Sequence, residues 1–210
     1  MDLPQVIILS TQRSGTHLLE SFLKHHPNLH GRGEMFLRYS REGFAGENVR
    51  EKINVAILMY NQLKIFKNVG GELAACKIIH LLRDPKNVAL SRCQARSDKA
   101  YYGDKYRAHL SVGEMSLEKR IKSDLRIPPD LHDFEQQAIK ILQEQKCISE
   151  LLFAIPHLEL HYEDFVSGEV SIDVLNVKTA TMLGDYLSLD AAYFQKKTSY
   201  VKTGIIKPHV

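Results

Sequence analysis

Cysteine is scarce in this chain: Cys76, Cys93 and Cys147 are odd in number and far apart in sequence. None of the close spacings that build a zinc site or a redox pair is present, so free buried thiols and a reducing compartment are the expectation. Long apolar runs are absent too. Nothing approaches the roughly 20 residues needed to cross a bilayer, and residues 1–4 run into an apolar segment without a basic leader. The chain therefore reads as soluble, without a membrane span or targeting segment, and cytoplasmic. Charge of one sign is also lacking: the net charge is only +3, and the basic residues are dispersed. That argues against a nucleic-acid partner, while a mildly basic balance suits an anionic ligand of nucleotide size. Internal repeats and low-complexity segments are missing as well.

What is present is 210 residues with 44% hydrophobic character, enough for one core and one domain over residues 1–210. Residues 6–9 form a short apolar run rich in β-branched side chains, the pattern of a strand buried on both faces. The period then changes, with Leu18, Leu19, Phe22 and Leu23 at helical spacing before Pro27 and Asn28. A second helix is expected over 49–66 from Ile53, Ile57, Tyr60 and Leu63. Residues 77–82 read as a second inner strand, followed by Arg83-Asp84-Pro85 and a helix to about residue 96, with Pro85 in its first turn. The polar stretch 97–133, with Tyr101, Tyr102 and Tyr106, reads as a variable insertion near an acceptor site. Further helices are expected over 134–153 and 174–187, a strand over 157–162, and a basic irregular tail over 196–210.

Strands separated by helices in this order predict an α/β fold: a P-loop-type parallel sheet flanked by helices on both faces. Ligands in such sheets sit at the carboxyl ends of the strands. The loops that matter are then residues 10–16, residues 83–85 and the segment after Tyr162.

The first of these joins strand to helix through Ser10-Thr11-Gln12-Arg13-Ser14-Gly15-Thr16-His17. Amides converge at such a helix start, where the dipole adds positive potential, so the turn suits an anion. Gly15 permits close approach, Arg13 supplies a permanent charge, and Ser14 and Thr16 supply hydroxyls. The plainer alternative is a capped helix with a solvated Arg13. A Walker loop needs an earlier Gly and a Lys that this segment lacks. A tyrosine-phosphatase loop needs a nucleophilic Cys six positions before Arg13, where Ile7 stands.

The segment Thr11-Gln12-Arg13-Ser14-Gly15-Thr16 resembles the 5′-phosphosulfate loop of sulfotransferases that use 3′-phosphoadenosine 5′-phosphosulfate (PAPS). The likeness is to the Arg-bearing branch with tyrosylprotein and several bacterial enzymes. His17 departs from it, since many members carry Thr there. A second stretch, Ile78 to Pro85 followed by Ser91, is similar to the family's 3′-phosphate motif, in which a strand-end Arg and a helical Ser grip the donor. An Arg–Asp ion pair at a helix start is the alternative for that stretch alone. Leu160 to Phe165 is similar to the Tyr-Glu-Asp segment late in these enzymes.

The resemblance implies a sulfotransferase moving a sulfuryl group from PAPS to an acceptor hydroxyl or amine by in-line displacement, leaving 3′-phosphoadenosine 5′-phosphate (PAP). Arg13, Ser14, Gly15, Thr16, His17, Arg83 and Ser91 would bind the donor, and Arg13 would also be catalytic. Glu34, in a Gly-Glu pair after the first helix, is the implied base, with His30 as its rival. The transferred group carries less charge than a phosphoryl group, so no metal is required, and His157 and His161 on one strand form no metal set. The acceptor is a small molecule, glycan or peptide; oligomeric state is unknown. Whether the basic tail with Lys196, Lys197 and Lys202 closes over the donor stays open. The alternatives are a divergent P-loop nucleotide kinase and a non-catalytic PAP-binding protein.

Overall fold

A computed structural model describes residues 4–34, 51–65, 69–102, 110–111, 131–165, 174–198 and 200–201. Strand β1 (Val6–Ser10) is buried along its whole length, with Ile7, Ile8 and Leu9 fully inaccessible. Each such side chain contributes roughly 1.5–3 kcal/mol by leaving water. Parallel neighbours on both sides explain that burial: β3 (Ile53–Met59) on one, β4 (Lys77–Leu82) on the other. The short β2 (Leu29–Gly31) and β6 (His157–His161) form the edges, giving five parallel strands in the order β2-β3-β1-β4-β6. The expected parallel α/β sheet is thus the observed one.

Helices cover both faces. On one, α1 (Thr16–Leu23) and a late helix over Val177–Leu187 join Val6, Ile8, Val55, Ile57 and Ile79 in the larger core. On the other, Ile7, Leu9, Leu58 and Ile78 meet Ile148 and Leu152 of a helix over Leu131–Leu152. In chain order the remaining helices are α2 (Val69–Ala74), α3 (Pro85–Tyr102) and a single turn α5 (Tyr162–Phe165). The long helix Leu131–Leu152 is then α4, and Val177–Leu187 is α6.

The helix expected over 49–66 is corrected. Residues 53–59 are strand β3, and only a 3-10 segment, Tyr60–Ile65, follows. A strand covered on both faces carries no alternation, so its unbroken apolar run also satisfies a three-to-four spacing. The sheet decides: every residue from Asn54 to Met59 is buried between β1 and β2.

Helix α3 continues to Tyr102 rather than ending near residue 96, and α4 begins at Leu131. These two helices therefore take both ends of the insertion expected over 97–133. Tyr106 and residues 112–130 lie outside the described residues, as do residues 202–210 with Lys202. Tyr200–Val201 (β7), in the expected irregular tail, pairs antiparallel with Leu110–Ser111 (β5). All three cysteines are free, but Cys147 is exposed, against the expectation of buried thiols. Among the described residues no helix is long and apolar enough to cross a membrane.

Candidate functional site

The loop after β1 holds two positive-φ residues within three positions, which no other loop among the described residues does. Arg13 has φ +73° and Gly15 has φ +92°, both left-handed. For Arg13 this costs about 1–2 kcal/mol. Such alternation turns successive amides toward one point, making an anion-binding concavity. The first helical bond runs from the Leu19 N–H to the Gly15 carbonyl at 3.0 Å, so the preceding amides stand ahead of the helical ladder. Gly15 is required for a second reason. A Cβ placed there would lie 2.4 Å from Cδ2 and Cε2 of Tyr162, whose ring packs beneath the loop.

Arg83 ties this loop to the next strand. Its Nη1 donates to the Arg13 carbonyl at 2.7 Å, and its guanidinium lies 4.4 Å from the centroid of the Tyr162 ring. Burial pushes the Arg83 pKa down, with the nearby Arg13 charge adding to the effect. From the helix side, Arg13 Nε donates to the Ser91 hydroxyl at 3.2 Å. Asp84 caps α3 by accepting from the Asn87 N–H at 2.9 Å, with Pro85 as the first helical residue, as expected. The two motifs, 70 residues apart in the chain, therefore form a single cationic corner at the carboxyl ends of β1 and β4.

Two polar atoms in that corner are buried without a hydrogen-bond partner, Ser14 Oγ and Arg83 Nε. Orphaned donors beside two guanidinium groups are what a bound phosphate oxygen would satisfy. Arg13 also lines a cleft of about 480 Å³ with Thr11, Gln12, Tyr60, Arg92 and Lys140. Arg83 is not among the residues lining that cleft.

His17 and Glu34 meet on the α1 side. His17 Nε2 lies 3.0 Å from Glu34 Oε1, and its Nδ1 lies 3.9 Å from Glu20 Oε2. Burial opposes charge on the ring, yet the two carboxylates, Glu20 first, outweigh it and raise the pKa to about 9. Glu20 is itself nearly inaccessible and accepts from the Gly33 N–H at 2.6 Å, which fixes the turn preceding Glu34. His30 sits within β2, opposite Asn54.

A sequence model of the Sulfotransferase domain matches residues 3–119, more than half of the 210. The chain belongs to the sulfotransferase-domain family.

The sulfotransferase fold is shared with solved structures. A sulfotransferase from Alicyclobacillus acidocaldarius is 15% identical over 99% of this chain and 88% of that one, with a TM-score of 0.54. The sulfotransferase domain from the curacin biosynthetic pathway is 16% identical over 90% of this chain and 76% of that one, with a TM-score of 0.51. None of the curated proteins matches the chain by sequence.

Three residues of this sulfotransferase escaped the sequence reading. Glu20 looks like an ordinary helical acid, and nothing in the pattern shows that a β2 loop folds onto it. Arg92, which reaches the Thr11 hydroxyl, follows Ser91 directly and stands out only once α3 is placed beside the loop. Gln145 donates to the Arg83 carbonyl at 2.8 Å, a tie from α4 that only the tertiary structure reveals.

Proposed function

We propose that this sulfotransferase takes its sulfuryl group from PAPS and delivers it to an acceptor hydroxyl or amine by in-line displacement. The observation that carries the reading is the joined corner: Arg83 Nη1 on the Arg13 carbonyl and Arg13 Nε on Ser91. A donor with a 5′-phosphosulfate and a 3′-phosphate needs cationic grips close together, and these two motifs supply them. The buried orphans Ser14 Oγ and Arg83 Nε fit the same ligand.

In this reading Ser14, Gly15 and Thr16 hold the 5′ end, and Arg83 with Ser91 holds the 3′-phosphate. PAPS supplies a sulfuryl group whose departure leaves charge on a phosphate oxygen. Arg13 and the loop amides offset that charge, already oriented before the reaction begins. Glu34 takes the acceptor proton, and the ion pair with His17 keeps its carboxylate in one orientation. Sulfuryl transfer places less charge on the moving group than phosphoryl transfer does, so magnesium is not required. The acceptor is a small molecule, glycan or peptide that enters beside residues 97–133, and the reaction runs in the cytoplasm.

Calorimetry with PAP, ATP and AMP, each with and without magnesium, tests the donor. PAP should bind tightest and ignore magnesium; ATP binding that needs magnesium would overturn the donor assignment. Transfer of radiolabelled sulfate to an acceptor panel separates an enzyme from a PAP-binding protein without activity. In that assay Glu34→Gln should abolish turnover while PAP affinity stays within about twofold, and His30→Ala should retain turnover.

A further inference from the structure

Outside the donor corner, three ligand-bearing side chains converge where β4 meets the edge strand β6. His80 pairs with Glu159 across the two strands, and Ile78 pairs with His157, which puts His80, His157 and Glu159 on one face of the sheet. Their ligand atoms all lie within 4.8 Å of one another. The sequence gives no warning, because His80 lies 77 positions from His157 and reads as part of an apolar strand.

The second nitrogen of each ring is already engaged. His157 Nδ1 lies 2.8 Å from the Ile155 carbonyl, so it carries the proton and donates, leaving Nε2 as a lone pair. His80 Nε2 lies 2.7 Å from the Tyr60 hydroxyl. His80 Nδ1 has no hydrogen-bond partner although the residue is fully buried, and Glu159 Oε2 stands 3.8 Å away. Histidines that ligate metals characteristically have the other nitrogen held by a carbonyl or another polar group, which fixes the ring. Both rings here are held in that way.

We propose that His80 Nδ1, His157 Nε2 and Glu159 Oε2 bind one divalent first-row transition ion, Zn²⁺ foremost, at the β4–β6 edge. Two imidazoles and one carboxylate are a nitrogen and oxygen set that suits Zn²⁺, with water in the fourth position. Tetrahedral Zn²⁺ would bring the ligand atoms to about 3.3 Å from one another, closer than the 4.8 Å within which they now lie. Glu159, 43% exposed, provides the entry route, while His80 closes the inner side. Tyr60 would then stand behind the His80 ligand and also line the 480 Å³ cleft, so the ion would stiffen one wall of it.

The test uses the full chain, stripped of metal and titrated with Zn²⁺ against a competing chelator, then with Co²⁺ followed by visible absorption. One ion per chain is expected, with the intense Co²⁺ bands of a four- or five-coordinate site. His157→Ala and Glu159→Gln, both on an accessible edge, should each weaken binding about tenfold or more. His161→Ala, whose ring lies 3.3 Å from the other oxygen of Glu159, should leave it within about twofold. Tyr60→Phe, which keeps the ring, should weaken binding by a smaller factor. Failure to saturate at one ion, or unchanged affinity in both His157→Ala and Glu159→Gln, overturns the site. The second outcome would assign the ion to other histidines or cysteines.

Discussion

Single side chains set the demands on the donor corner. Gly15 carries a left-handed φ and has the Tyr162 ring where a Cβ would go. Gly15→Ala should therefore destabilise the fold by about 2 kcal/mol or more and weaken PAP binding together, as urea denaturation and calorimetry would record. His17 sets a pH response. Its folded pKa is raised from 6.5 to about 9, so its contribution to stability is complete below 6.5 and disappears as pH climbs to about 9. Melting temperature should fall over that interval in the wild type and stay flatter in His17→Gln. The free-energy difference between them should be about 1 kcal/mol after allowance for solvent screening. In the proposed reading, in which His17 orients the base Glu34, His17→Gln should lower kcat while leaving the donor KM nearly unchanged.

At the level of elements, end chemistry holds α6 in place. Asn176 accepts from the Thr179 N–H at 2.8 Å and donates to the Asp164 carbonyl at 2.6 Å, so one side chain both starts the helix and ties it to α5. Asn176→Ala should cost about 1–2 kcal/mol, measurable by thermal melting, with PAP binding retained in the folded fraction. The same scale shows what the primary structure reveals. Strands β1 and β4 were legible because short β-branched runs end at turn residues, α1 because a period of 3.6 follows such an end, and α3 because Pro85 fits a first helical turn. Strand β3 was not, since Ile-Asn-Val-Ala-Ile-Leu-Met has no alternation to separate it from a buried helix. The residues that meet at the corner, Arg13, Arg83 and Ser91, lie in local motifs, whereas Glu20 under Gly33 and His80 beside His157 depend on strand order, which no local pattern encodes.

For the whole molecule, ligand and fold are linked by mass action. A ligand held by both Arg13 and Arg83 binds only the folded chain, so PAP at about one hundred times its Kd should add about 2.7 kcal/mol to unfolding. Arg13→Ala and Arg83→Ala should each remove most of that gain. Their double variant should lose less than the sum, since the guanidinium of one rests on the carbonyl of the other.

The central position of β1, with partners on both sides and no water on either face, also decides which part of the molecule opens last. Amides of β1 should exchange with deuterated solvent only through global unfolding, whereas those of β2 and β6, at the margins, exchange through local fraying. The loop that carries Arg13 and Gly15 is thus fastened to the slowest-exchanging segment, and fraying at the margins leaves its anchor closed.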